Sequence, residues 1–209
     1  MEYIDLLSKR VSVRKFTNKV IPDKDVAEIV RRASLSPSVA NSQPWKFIAI
    51  RNTGILSQMS EVVINKYDDL LENSSLEMKE LILTRIKTFS TFFLDSPVVI
   101  ACMCESYRST IDDLLENTMY NHEDINAFRN HPDIQTMGAA IYSMLLSSVD
   151  LGYGACWLTG PMVARSEIEE ILDIHHPDRL IAFVALGEPA YVPPTKPHKH
   201  VADILRFIE

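Results

Sequence analysis

The 209-residue chain is poor in cysteine, lacks any excess of positive charge, and has no apolar run of membrane length. Its three cysteines, Cys102, Cys104 and Cys156, are an odd number in apolar surroundings, which excludes a disulfide framework. Cys102 and Cys104 are also too close along an extended segment to bridge comfortably. Buried, chemically quiet thiols in a reducing, cytoplasmic setting are expected. The 28 acidic against 21 basic side chains give a net charge of −7. That balance argues against nucleic-acid or membrane partners, both of which call for a broad positive surface. Any anion must therefore be held locally. The start, Glu2-Tyr3-Ile4-Asp5, carries acid where a secretion signal carries base. The longest uncharged run, residues 134–149, contains Gln135, Thr136 and three serines. It is shorter than the ~20 apolar residues a membrane span requires, and reads as a helix buried in protein.

What is present is an ordinary globular composition, 46% hydrophobic and 23% charged, with no internal repeat, low-complexity tract or linker. Residues 1–209 read as one domain. In residues 23–34, Val26, Ile29, Val30 and Ala33 recur at the spacing of an amphipathic helix. Four short apolar runs, residues 45–50, 97–102, 154–158 and 180–186, read as strands covered on both faces. Residues 56–94 read as two helices broken at Asn73-Ser74-Ser75, the first presenting Met59, Val62, Val63, Tyr67 and Leu70, the second Leu81, Ile82, Ile86 and Phe89. Ser166 and Glu169 have capping-box spacing ahead of Ile168, Ile171 and Leu172, although Ser166 reads equally well as a plain surface serine. Residues 105–131, polar and poorly periodic, are the candidate lid or insertion. A few strands covered by long helices make a layered α+β domain.

Two stretches carry chemistry. In Lys9-Arg10-Val11-Ser12-Val13-Arg14-Lys15, an extended backbone sends Arg10, Ser12 and Arg14 to one side. Two guanidinium forks and a hydroxyl suit a phosphate or carboxylate, and a solvated basic turn is the competing reading. Ser36-Pro37-Ser38-Val39-Ala40-Asn41-Ser42-Gln43-Pro44-Trp45 joins a helix to a strand. Its amides suit the edge of a heterocycle, and its Ser, Asn and Pro residues equally suit a simple turn. On the residues alone both pairs of readings stay open.

Together these stretches resemble the FMN-dependent nitroreductase family. The likeness rests on Arg-x-Ser-x-Arg near the N-terminus, Pro-Ser-x-x-Asn-Ser-Gln-Pro-Trp at 37–45, the passage Leu151-Gly152-Tyr153-Gly154-Ala155-Cys156-Trp157-Leu158-Thr159-Gly160, and Leu186-Gly187-Glu188-Pro189, in that order. It spans nearly the whole chain. The resemblance implies a three-layer α+β fold with a mostly antiparallel central sheet, in an intertwined homodimer. It implies that Arg10, Ser12 and Arg14 hold the phosphate and pyrimidine side of FMN. Pro37, Ser38, Asn41 and Gln43 would form the loop that covers the flavin from the other subunit, with Asn41 and Gln43 partly shaping that loop. Thr159 and Gly160 would place a backbone N–H beside flavin N5, a role for a fixed dipole. Lys196 and Lys199 would add cations to the phosphate.

The implied activity passes a hydride from NADH or NADPH through the flavin to an electron-poor acceptor such as a nitroaromatic or quinone, by ping-pong kinetics and with no general acid or base nominated. The alternatives within the likeness are a flavin-remodelling or dehalogenating member, or a flavin-binding regulatory or storage protein. The tail Lys196-Pro197-His198-Lys199-His200 departs from the arginine common in the family, and no flavin-contacting side chain is evident in residues 88–93. Gln135 and Thr136 read as flavin contacts or as helix-start residues. His122, Glu123, Asp124 and His131 match no metal-ligand spacing and read as a polar loop. His175 reads as a helix-end residue and Trp157 as core, with the flavin border as its second reading.

Overall fold

The computed structural model describes every residue except 1, 76, 116, 192 and 209. Four strands, β1 (Trp45–Ile50), β2 (Val98–Cys104), β3 (Gly154–Leu158) and β4 (Arg179–Gly187), form one sheet in the order β1-β2-β4-β3 with every neighbouring pair antiparallel. The helices in chain order are α1 (Tyr3–Lys9), α2 (Asp23–Ala33), α3 (Thr53–Leu71), α4 (Lys79–Thr91), α5 (Thr110–Leu114), α6 (His122–Phe128), α7 (Pro132–Asp150) and α8 (Arg165–Ile171).

The strand side chains explain the layering. Every residue of β2 is buried, because alternate residues point to opposite, equally covered faces. Val98, Ile100 and Cys102 join Val26, Ile29, Ala33 of α2 and Met137, Ile141, Met144 of α7 in one core. Val99, Ala101 and Met103 join Leu56, Met59, Val63 of α3 and Ile168 of α8 in the other. The result is the three-layer α+β fold, helices on both faces of an antiparallel sheet.

Phe183 of β4 is fully buried and stacks on Phe93 with ring centroids 6.3 Å apart. Phe183→Ala should cost about 3–5 kcal/mol through lost burial and a residual cavity. Urea unfolding read by circular dichroism checks it, and an unmoved midpoint would contradict the placement of this ring at the centre of its core.

Several local expectations are corrected. The Ser166–Glu169 capping box does not form: α8 starts at Arg165, and the Glu169 carboxylate instead accepts the Leu180 N–H at 2.8 Å, tying α8 to β4. Two capping boxes do form, Ser109 with Asp112 and Asn121 with Asp124, inside residues 105–131. That segment therefore holds α5 and α6, helices too short for periodicity to reveal. In α4 the expected apolar face is turned outward, with Leu81 and Phe89 exposed and Leu83 and Ser90 buried. Trp157 is 38% exposed, because β3 is the edge strand and this side chain lies over Gly138 of α7 at its rim. His175 does not end a helix; it lies beyond α8, with Nε2 2.7 Å from Asp173 Oδ1.

Candidate functional site

The segment after α1 is built onto the sheet by backbone contacts. Ser12 bridges Ala155 in parallel, the Val13 N–H donates to Ala155 O at 3.0 Å, and Phe16 bridges Pro189 in antiparallel. The Thr17 N–H donates to Glu188 O at 2.9 Å and the Ala190 N–H to Lys15 O at 3.0 Å. Two glycines permit this approach. A Cβ on Gly154 would stand 2.8 Å from Val13 Cγ2 and 2.9 Å from Pro189 Cγ, and one on Gly187 would stand 2.6 Å from Phe16 Cδ1. The glycines of the third and fourth motifs thus serve the first, as spacers that let it lie against β3 and β4. The Glu188 carboxyl is held below its ordinary range by hydrogen bonds from Lys19 and Thr17, which closes the same junction.

Val13 is buried inward, while Arg10, Ser12 and Arg14, together with Val11 between them, line a cavity of about 170 Å³ that residues 193–196 and His198 also line. Lys196 lines this cavity; Lys199 is exposed and lies outside its lining. Thus four of the expected residues, from opposite ends of the chain, converge. No carboxylate of the described residues lines the space, so its chemistry is that of an anion site. Cys156 lies behind it. Burial pushes its thiol up, while Arg14, a Ser12 hydrogen bond and Arg10 act in the opposite direction. Its burial keeps it a packed thiol.

The 37–45 loop is shaped by its neighbours. The Ser36 hydroxyl donates to Ala139 O at 3.3 Å, the Val39 N–H donates to Thr136 Oγ1 at 3.1 Å, and the Gln43 N–H donates to Ser38 Oγ at 3.0 Å. Ala40, Asn41 and Gln43 all adopt left-handed backbone, with φ of 49°, 53° and 49°. Asn tolerates this readily, whereas Ala and Gln do so at a cost of order 1 kcal/mol or more each. Pro37, Asn41 and Gln43 are exposed, and the two amide side chains form no hydrogen bond among the described residues. Two hydrogen bonds tie the loop to α7, and its amide side chains lie exposed. Thr136 thus supports the loop, and Gln135 donates to Asn130 O at 2.7 Å at the start of α7.

Thr159 and Gly160 follow edge strand β3, Thr159 exposed and Gly160 half-buried. The Tyr67 hydroxyl donates to Gly160 O at 3.1 Å, and the Ser90 hydroxyl donates to Tyr67 Oη at 3.3 Å. A Cβ on Gly160 would stand 2.5 Å from Ser90 Oγ. One residue earlier on α4, the Phe89 ring is in cation–π contact with two guanidiniums, Arg14 at 5.8 Å and Arg85 at 5.7 Å from its centroid. The last turn of α4 therefore contacts Arg14 through Phe89 and reaches Gly160 through the relay from Ser90 to Tyr67. The sequence does not disclose these roles: Tyr67 and Phe89 read as core-facing apolar positions, and no spacing rule links them to residues 14 and 160.

The Nitroreductase family model matches residues 7–188. The structure is similar to that of a BluB-like flavoprotein from Clostridium difficile 630, with 32% identity, a TM-score of 0.87 and all of both chains covered. It is also similar to an iodotyrosine deiodinase bound to FMN and 3-iodo-L-tyrosine, with 22% identity, a TM-score of 0.74, and 99% of this chain and 98% of that one covered. In sequence, it is 25% identical over 199 residues to a Methanothermobacter thermautotrophicus protein named for NADH dehydrogenase/NAD(P)H nitroreductase, covering 94% of this chain and 82% of that protein. The motifs in register, the three-layer fold and the family match over residues 7–188 agree: the chain belongs to the Nitroreductase family.

Proposed function

We propose that this protein is an FMN-dependent oxidoreductase that takes reducing equivalents from NADH or NADPH and delivers them to an electron-poor small molecule, working as a homodimer. The observation that carries the reading is the cavity, lined by no carboxylate of the described residues, in which Arg10, Ser12, Arg14 and Lys196 meet beside the edge of β3. A donor set of two guanidiniums, an ammonium and a hydroxyl fits a terminal phosphate ester. FMN, when bound, supplies hydride acceptance and release at its N5 atom.

The chain's own contribution is placement. Arg10, Ser12, Arg14 and Lys196 would neutralise and orient the phosphate, with Lys199 close along the tail as a further cation. The Thr159–Gly160 turn, held by Tyr67 and Ser90, would offer a fixed backbone dipole to the ring system. Pro37, Asn41 and Gln43 lie exposed on a loop that Ser38 braces from within, and these four residues would cover the flavin of a second copy. Exposed Val201, Ile204, Leu205, Phe207 and Ile208 in the tail and Phe89 on α4 give such a dimer apolar surface to bury. Reductant and acceptor take the same place in turn, so ping-pong kinetics are expected.

The three buried free thiols suit a reducing cytoplasm, and no helix of the described residues is long and apolar enough to cross a membrane. A second reading is favoured by the likeness to the BluB-like flavoprotein and to the deiodinase, namely a flavin-remodelling or dehalogenating enzyme on the same site.

Purified protein should run at twice its 23.7 kDa chain mass and show an FMN spectrum that NADH or NADPH bleaches under anaerobic conditions and a quinone or nitroaromatic restores. A colourless protein that takes up no FMN would overturn the proposal. Reoxidation by a halotyrosine alone, or permanent loss of flavin absorbance in air, would favour the second reading.

A further inference from the structure

Helix α4 carries three cations, Lys79, Arg85 and Lys87, against one carboxylate, Glu80. Two of them have polar partners: Lys79 donates to Glu72 O and Lys87 to Asp68 Oδ1. Arg85 has no polar partner among the described residues. Its guanidinium rests instead on the Phe89 ring one turn later, 5.7 Å from the centroid, and the residue is exposed. The same ring contacts Arg14, which lines the anion site, and the next residue, Ser90, reaches the 159–160 turn through Tyr67. Arg85 is thus an unneutralised guanidinium beside both parts of the flavin site.

The surface around Arg85 is apolar. Leu81, Ile82 and Phe89 stand at i−4, i−3 and i+4 from it on one face of α4, and all three are exposed. Measured along the axis from Ser90, the helix rise puts Arg85 roughly 7 Å away and Leu81 roughly 13 Å away. From the turn outward, this face therefore offers a cation first and then apolar side chains.

The reductants named above have the matching order of groups. In NADH and NADPH a nicotinamide ring is followed by a diphosphate and then by adenine, and the diphosphate must approach a chain of net charge −7. Arg10, Ser12, Arg14 and Lys196 are assigned to the FMN phosphate, and Arg85 is a guanidinium outside that set. Resting on that reading of the flavin site, we propose that Arg85 binds the diphosphate of the pyridine dinucleotide, with Leu81 and Ile82 against its adenine. A guanidinium fork suits phosphate oxygens, and one already seated on a ring loses little rotamer freedom when it binds.

Titration calorimetry of the oxidised, FMN-loaded protein with NAD+, which binds without reacting, should give an affinity that Arg85→Ala lowers about three- to tenfold, the range of an exposed charge-assisted contact. Arg85→Lys should recover part of the loss. In anaerobic stopped-flow, Arg85→Ala should raise the half-saturating NADH concentration by the same factor and leave the limiting rate of flavin reduction within about twofold. N-benzyl-dihydronicotinamide, which has the donor ring but no phosphate, should reduce variant and wild type alike. Equal NAD+ affinity in Arg85→Ala and wild type would overturn the inference and leave the flavin reading intact. An equal loss with the neutral donor would do the same, since Arg85 would then be a support of the flavin site. Wild-type flavin that the neutral donor bleaches and neither dinucleotide does would overturn the reductant reading and the inference with it.

Discussion

Replacing Arg10 and Arg14 together with alanine is expected to leave a folded protein that no longer retains FMN. Each guanidinium offers a charge-assisted hydrogen bond worth about 1.5–3 kcal/mol, so losing both weakens binding by roughly 10²- to 10⁴-fold. The fold survives because the segment is anchored by other groups: the Val13 N–H on Ala155 O, the Phe16–Pro189 bridge, and the buried Val13 side chain. Arg14 also gives up its stacking on Phe89, which at an exposed ring is worth about 0.5–1 kcal/mol.

Fluorescence titration of flavin-free protein with FMN at several salt concentrations measures the loss, and thermal unfolding monitors the fold. Lys15→Ala is the control, since Lys15 lies on the same segment but lines a different cavity. Lys196→Ala should weaken FMN more than Lys199→Ala, since only Lys196 lines the cavity. Equal affinity in the Arg10/Arg14 double variant and wild type would remove the anion site from the argument.

Gly160→Ala should separate binding from turnover. The added methyl would sit 2.5 Å from Ser90 Oγ, 3.2 Å from its Cβ and 3.4 Å from its backbone Cα, so the 159–160 turn must shift. Because the phosphate cavity contains neither residue, FMN should remain bound. Flavin reduction by NAD(P)H should slow by about 10- to 100-fold, the scale of a misplaced reacting group. Ser90→Ala alone removes a hydrogen bond to Tyr67 worth about 1 kcal/mol. Combined with Gly160→Ala it also removes the 2.5 Å contact, so the double variant should reduce faster than Gly160→Ala. Anaerobic stopped-flow absorbance reads all three. A double variant as slow as the sum of the two singles would mean that the Ser90 clash is not what sets the turn.

Much of this architecture is legible in the residues. The continuous apolarity of 98–102 and 180–186 signals strands covered on both faces, and β2 and β4 are the two central strands. The uncharged stretch 134–149 signals a buried helix, and α7 packs against the sheet along Met137, Ile141 and Met144, although Ile134 and Tyr142 on its other side stay open to solvent. What was not legible is long-range. Trp157 looks like a core residue until the strand order makes β3 an edge. Ser166 and Glu169 have capping-box spacing, but Glu169 finds the Leu180 N–H eleven residues away.

The site divides in the same way. Alternation along an extended segment groups Arg10, Ser12 and Arg14, because side-chain direction in a strand is a local property, but it does not foresee that Val11 lines the same cavity. Their meeting with Lys196, about 180 residues later, required the sheet to bring residues 12 and 155 together and the tail to return across the opening. The same applies to Tyr67, Phe89 and Ser90, whose part in holding Gly160 and Arg14 is set by the packing of α3 and α4 against the turn after β3. The scarcity of cysteine, the negative net charge and the lack of membrane-length runs determined, by composition alone, which structural classes were excluded. Which cations converged, and which was left without a polar partner, only the tertiary structure decided, since charge is fixed by residue type but its neighbours are fixed by the path of the chain.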